Sequence, residues 1–219
     1  MHPLKAVIFD YGKVLSLPPT PEQWNLLSSR FGKPLEEFQP VYWGKNREAL
    51  DRGVLNNVAY WQKVGSDCGT AISESEAQAL IDLDNTQWTN ENLPMVEFAA
   101  DLRRAGYKTA ILSNMERRML GALRAKLPWL DQFDVQIYSC EVGMVKPEAE
   151  IYQLCCQRLG YAPEQALFLD DKKPNVEGAR RVGLEAYLYQ SAPDPVMRTG
   201  GSEISLVELR SLLLFERAR

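Results

Sequence analysis

LKAVIFDYGKVL, residues 4–15, decides the architecture. Residues 4–9 form a short, mostly apolar run that lacks the polar alternation of a half-exposed strand. That is the pattern of a strand buried on both faces. The run stops at Asp10. Comparable short runs recur at residues 108–112, 135–138, 166–169 and 185–189. Amphipathic stretches separate the later runs. Pro94 opens one, with Met95, Phe98, Ala99 and Leu102 at helical spacing and Gly106 as its stop. Ser113 and Glu116 have the spacing of a capping box before a second, which carries Met115, Met119, Ala122 and Leu123. Pro147 opens a third, with Ile151, Leu154 and Cys155, and Pro174 a fourth that ends at Gly183. A final helix is expected over residues 204–215, after a surface loop over Ala192–Ser202. Strands alternating with helices predict an α/β protein with a Rossmann-like parallel sheet.

The first crossover is too long for a single helix. Nearly a hundred residues, 10–107, lie between the first and second strands, and the stiff SLPPTP of residues 16–21 stands near their start. Trp24, Leu27 and Phe31 share one helix face, and Val58 and Trp61 another. Ser73 and Glu76 pair as a capping box ahead of Ala77, Leu80 and Ile81. We read residues 17–92 as a small helical domain inserted after strand one, and residues 1–16 and 93–219 as the α/β core.

Composition removes several function classes. The 219 residues carry a net charge of -4 with no Lys/Arg-rich face, so a nucleic-acid partner is not expected. The apolar run at the start is too short for a signal peptide or a membrane span, which suggests a cytoplasmic protein without a membrane partner. His2 is the single histidine. A Ser-His-Asp triad, a Cys-His pair and a His-rich zinc site therefore have no imidazole to use. Cys68, Cys140, Cys155 and Cys156 contain no C-x-x-C pair and read as small buried side chains.

In a parallel sheet, ligands bind beyond the carboxyl ends of the strands. The polar residues there are Asp10, the Ser113-Asn114 pair, Lys146 ahead of the third helix, and the Asp170-Asp171 pair. Each has an ordinary explanation. Asp10 suits a turn cap, Ser113 a helix cap and Lys146 a solvated surface, and the two aspartates an exposed helix start. Adjacent carboxylates also repel when buried, and a divalent cation relieves that; all-oxygen ligation suits Mg²⁺. Taken together they supply a nucleophile, phosphate donors, a charge clamp and a metal seat, the parts that phosphoryl transfer needs.

The series FDYGKVL, ILSN, VKPEAEIY and FLDDKKPNVEGA resembles the four motifs of the haloacid-dehalogenase superfamily. The resemblance covers nearly the whole chain, with the insert in the place of that family's helical cap. It implies a Mg²⁺-dependent phosphatase acting on a small phosphorylated metabolite, such as a sugar phosphate. Asp10 then corresponds to the nucleophile and to a metal ligand, together with the backbone carbonyl of Gly12. Asp171 corresponds to the other direct carboxylate ligand, with Asp170 acting through water or hydrogen bonds. Ser113 and Asn114 correspond to phosphate binders, Lys146 to the lysine that offsets charge on nucleophile and phosphoryl group, and Asn175 to a substrate-site residue that helps order the fourth-motif loop.

One position departs from the pattern. Most phosphatases of the superfamily carry a second aspartate two residues after the nucleophile, as acid for the leaving oxygen. Here that position is Gly12. Loss of a positioned acid costs about 10²–10⁴-fold for a poor leaving group, so anomeric sugar phosphates or aryl phosphates are the expected substrates. Two rivals stand beside this reading: a 2-haloacid dehalogenase that attacks carbon with Asp10, and a protein that only binds a phosphorylated ligand or partner.

Overall fold

The computed structural model describes residues 3–191 and 202–215. Five parallel strands form one sheet in the order β3-β2-β1-β4-β5: β1 (Ala6–Phe9), β2 (Lys108–Ser113), β3 (Val135–Tyr138), β4 (Ala166–Asp170) and β5 (Glu185–Leu188). Each boundary lies within two residues of the expectation from sequence. β1 is central, with Phe9 opposite Ile111 of β2 and Leu169 of β4. This register brings Asp10, Ser113 and Asp170 out at one rim.

Alternate side chains of β1 serve two different cores, as the pleat requires. Val7 and Phe9 point to one face with Ile111, Leu167 and Leu169, under α6 (Leu93–Arg104) and α11 (Leu206–Arg210). Ala6 and Ile8 point to the other with Ala110, Leu112 and Phe168, under α9 (Ala149–Leu159) and α10 (Lys173–Arg181). Cys155 and Cys156 belong to this second core, and all four cysteines are free and buried.

Between β1 and α6 the chain forms α1 (Pro21–Ser29), α2 (Leu35–Tyr42), α3 (Arg47–Asp51), α4 (Asn57–Cys68) and α5 (Glu74–Gln87). The segments that lead out and back run side by side. Leu17 N–H donates to Asn90 O at 2.8 Å, and the Asn92 side-chain amide donates to Val14 O at 2.7 Å. An aromatic cluster fills the helical segment: Trp24 meets Tyr42 edge-on at 5.2 Å, and Phe31 stacks on Phe38 at 5.1 Å. The Ser73–Glu76 capping box forms as expected.

Three local expectations change. Ser113 is the last residue of β2 and caps nothing; α7 (Arg117–Lys126) is capped by Glu116, whose carboxylate accepts from the Arg118 and Met119 N–H groups. A carboxylate at an N-cap satisfies free N–H groups directly. Pro147 stands outside its helix, which starts at Ala149 after a short α8 (Ser139–Val142) and the loop holding Lys146. The terminal helix covers nearly the expected stretch but not as one α-helix, α11 passing into a π-helical turn over Ser211–Phe215. Residues 192–201 of the expected loop, and His2, lie outside the described residues.

Gly178 in α10 explains the glycine of the NVEGA run. A Cβ there would sit 2.8 Å from Pro147 Cβ and 2.9 Å from Pro147 O. This close approach seats α10 against the loop that carries Lys146. Gly178→Ala should therefore destabilise the protein by about 1–3 kcal/mol through overpacking, as read from urea unfolding.

Asp84 of α5 is buried beneath the aromatic cluster, where the Tyr42 hydroxyl donates to it at 2.9 Å. Burial pushes its carboxyl up to about 7, against the pull of Arg47 and Tyr42 and with Glu116 adding to the rise. A carboxyl raised in the folded state favours folding only while protonated. Its contribution is complete below pH 3.8 and is lost as pH rises through about 7. Unfolding free energies measured between pH 4 and 8 should contain this decline, and Asp84→Asn should remove it.

Candidate active site

Lys146 stands at the centre of the rim. Its ammonium lies 2.8 Å from Asp10 Oδ1 and 2.5 Å from Asp170 Oδ2, and donates to Leu112 O at 2.8 Å. The three side chains are almost wholly buried. Burial alone would lower the lysine's pKa, but the Asp10 and Asp170 carboxylates hold it above its ordinary value. Asp170 also accepts from the Lys172 N–H at 2.8 Å and from Asn175 Nδ2 at 3.0 and 3.1 Å. Burial raises the carboxyl of Asp170, with Asp10 and Asp171 adding to the rise and Lys146 opposing it. Asp171 is raised as well, by burial first and then by Asp10.

Asp10, Asp170 and Asp171 present ligand oxygens that all lie within 4.8 Å of one another. Three buried carboxylates crowded this closely need cationic charge, and hard oxygen donors fit Mg²⁺. The donor set therefore suits the ion that the sequence implies. Asp10, Gly12, Lys13, Ser113, Asn114, Lys146, Asp171 and Asn175 line one cavity of about 60 Å³.

Two predicted phosphate or substrate binders are already engaged. Both ends of the Asn114 side chain grip the Lys146 backbone: Nδ2 donates to Lys146 O at 2.9 Å, and Oδ1 accepts from Lys146 N–H at 2.8 Å. Asn175 donates to Asp170, and its carbonyl accepts from the Tyr152 hydroxyl at 2.8 Å. These two amides position the lysine and the carboxylate. Ser113 reaches the cavity as expected, 2 % exposed at the end of β2.

The loop Tyr11–Leu15 after β1 is closed by a hydrogen bond from Ser16 N–H to Tyr11 O at 2.9 Å. Gly12 has φ -64° and ψ 123°, open to any residue, and a Cβ there would lie 3.7 Å from Trp88 and 3.8 Å from Asp10 Oδ2. The absence of a side chain at position 12 is thus not imposed by crowding at the first carbon. Lys13 has φ 59° and places Nζ 3.5 Å from Asp171 Oδ2. Sequence reasoning passed over Lys13. Its signal was a lysine, rather than a residue at home in left-handed backbone, inside a tight loop.

The cavity's outer wall comes from the helical segment, the loop between β2 and α7, and α7 itself: Trp43, Arg47, Asp51, Trp88, Met115 and Met119. Of three nearby residues that combine flat aromatic surface with a cation, Tyr42 lies in the interior of the helical segment, while Trp43 and Arg47 reach the cavity. Arg47 is paired with Asp51 at 3.0 Å and stacks over Trp43 at 4.8 Å. Lys172 covers Trp43 at 4.7 Å. Arg52 pairs with Glu148, and Ser139 Oγ donates to Asp51 O at 2.6 Å, so α3 is tied to the core beside Lys146. Among the described residues no helix is long and apolar enough to cross a membrane.

The haloacid dehalogenase-like hydrolase family model matches residues 4–183. A phosphatase of Mycobacterium tuberculosis, MT3486, is 36% identical over 194 residues, covering 84% of this chain and 87% of that protein. (S)-2-haloacid dehalogenase 1 of a Pseudomonas species is 37% identical over 192 residues, covering 84% and 83%. Bifunctional epoxide hydrolase 2 of Rattus norvegicus is 28% identical over 205 residues; the match spans 85% of this chain but only 36% of that protein, about a third of its length. A haloacid-dehalogenase-family enzyme of Bacteroides thetaiotaomicron, solved with magnesium and inorganic phosphate, shares the fold with a TM-score of 0.69 at 20% identity, covering 88% of this chain and 97% of that one. With its rim of strand-end carboxylates and a family match from the first strand to the fourth-motif helix, the chain belongs to the haloacid dehalogenase-like hydrolases.

Proposed function

We propose that the protein is a Mg²⁺-dependent phosphatase of small phosphorylated metabolites in which Asp10 is the nucleophile. The observation that carries this reading is the buried cluster of Asp10, Asp170 and Asp171 with Lys146 between two of them. Displacement at a carbon–halogen bond needs a carboxylate nucleophile but no metal seat. The phosphatase relative and the neighbour solved with magnesium and phosphate support the same choice.

Asp10, Asp171 and the carbonyl of Gly12 would hold the ion, with Asp170 acting indirectly; bound there, it supplies charge neutralisation and orientation for the phosphoryl group. Asp10 attacks phosphorus, the ester P–O bond breaks, and the leaving oxygen departs with its electron pair. Water then cleaves the aspartyl phosphate, releasing inorganic phosphate and restoring the carboxylate. Lys146, fixed in place by Asn114 and Leu112 O, holds one oxygen of Asp10 and offsets the charge that builds beside it. Ser113, at the end of β2, is the donor for a phosphoryl oxygen.

The leaving group faces Trp43 and Trp88 on the helical segment of residues 17–92, which acts as the cap. A cavity of about 60 Å³ holds only a few waters. Closing over the rim, the cap would exclude water from the phosphoryl group. No carboxylic acid replaces the one missing at position 12: besides Asp10 and Asp171, the described lining contains only Asp51, which is paired with Arg47. The reading thus favours leaving groups that depart with little protonation, anomeric sugar phosphates and aryl phosphates.

Asp10→Asn should remove turnover of every phosphate ester while its unfolding curve stays close to wild type, and chelation by EDTA should stop the wild-type enzyme. Near wild-type turnover by the variant would remove Asp10 from the mechanism. The Pseudomonas relative keeps a 2-haloacid dehalogenase as the second reading; halide release that survives EDTA, with no phosphate release, would establish it. Across a series of monoesters, kcat/KM should rise steeply as the leaving-group pKa falls. Equal rates on alkyl and anomeric phosphates would refute the missing-acid argument.

A further inference from the structure

The mechanism above gives no task to Lys13, yet its placement is tightly constrained. Among the described residues it is the only non-glycine residue in left-handed backbone, with φ 59° and ψ 7°. That conformation favours glycine or asparagine. The lysine's main chain is held on both sides: its N–H donates to Ser16 Oγ at 3.1 Å, and its carbonyl accepts from Ser191 N–H at 2.8 Å. Its side chain is folded inward, the residue only 3 % exposed, and ends 3.5 Å from Asp171 Oδ2. A strained residue held this firmly points to a task for its side chain.

The charges of the cluster suggest that task. Asp10 and Asp170 share the ammonium of Lys146, whereas Asp171 takes its ion pair from Lys13. Three carboxylates against two ammoniums leave one net negative charge among these five side chains. A divalent ion bound by Asp171 would lie beside the Lys13 ammonium and would compete with it for the same oxygen.

We infer that Lys13 is a resident counter-cation of Asp171 that a divalent ion must displace, and that it weakens the site's affinity for Mg²⁺. The inference rests on the metal reading above and adds a residue that sets how tightly the metal binds. Like charges a few ångströms apart in a partly screened site change a divalent affinity by about tenfold to a hundredfold.

The test is calorimetric titration of Mg²⁺ into the metal-free enzyme, with no substrate and no turnover. Lys13→Met and Lys13→Asn remove the charge, and asparagine also suits the left-handed backbone should the methionine variant fold poorly. Both should bind Mg²⁺ at least about tenfold more tightly than wild type, while Lys13→Arg, which keeps the charge, stays near wild type. Asp171→Asn should lose the binding. Equal or weaker binding by the neutral variants, with the wild type still binding, would overturn the role of Lys13 and leave the phosphatase reading standing. No binding by any of these proteins, together with turnover that survives EDTA, would overturn the metal reading and this inference with it.

Discussion

One buried ammonium organises the rim of the sheet. Lys146 lies between Asp10 and Asp170, all three nearly closed off from water, and holds the end of β1 against the end of β4. Removing that ammonium would leave buried carboxylates uncompensated, at a cost of about 3–5 kcal/mol. The surroundings of Lys146 follow from this constraint. Leu112 O takes one of its protons, Asn114 grips its backbone from the end of β2, and Gly178 lets α10 press against the adjoining Pro147. A loop that would otherwise be free to wander is fixed by three strands and a helix.

The same arrangement gives the site its chemical character. A carboxylate with one oxygen held by a lysine has its charge partly offset and its orientation fixed before any ligand arrives. Preorganisation of this kind matters more in phosphoryl transfer than covalent help from the protein. Three carboxylates in one buried group are costly on their own, and two lysines reduce that cost without removing it. The residual negative charge makes the rim receptive to a divalent ion. The wall opposite is aromatic and carries its cation already paired, Arg47 with Asp51. On the proposed reading, strand ends would hold phosphate and metal, and the inserted helices would face the remainder of the ligand.

Much of this was legible in the chain. Strands buried on both faces are short apolar runs, so all five could be found and all five recur in the sheet. Asp10, Ser113 and Asp170 converge because parallel strands in register bring their carboxyl ends to one edge. Other features were hidden for definite reasons. The Ser113–Glu116 spacing satisfied the capping-box pattern, but a carboxylate can cap a helix by itself, and Glu116 does. Proline at 147 looked like a helix opener because its fixed φ suits that position; instead the loop is committed to holding Lys146.

The α/β class, the long insertion and the identity of the acidic, amide and lysine side chains at strand ends can all be read along the chain. These depend on periodicity and on local chemistry, which a chain carries along its length. What each side chain is occupied with emerges only from the folded arrangement. It turned Asn114 and Asn175 inward as supports for Lys146 and Asp170, sent Tyr42 into the interior while leaving Trp43 and Arg47 on the cavity, and brought Lys13 onto Asp171. Hydrogen bonds and ion pairs between residues far apart in sequence depend on the packing of whole elements, and no local pattern records their partners.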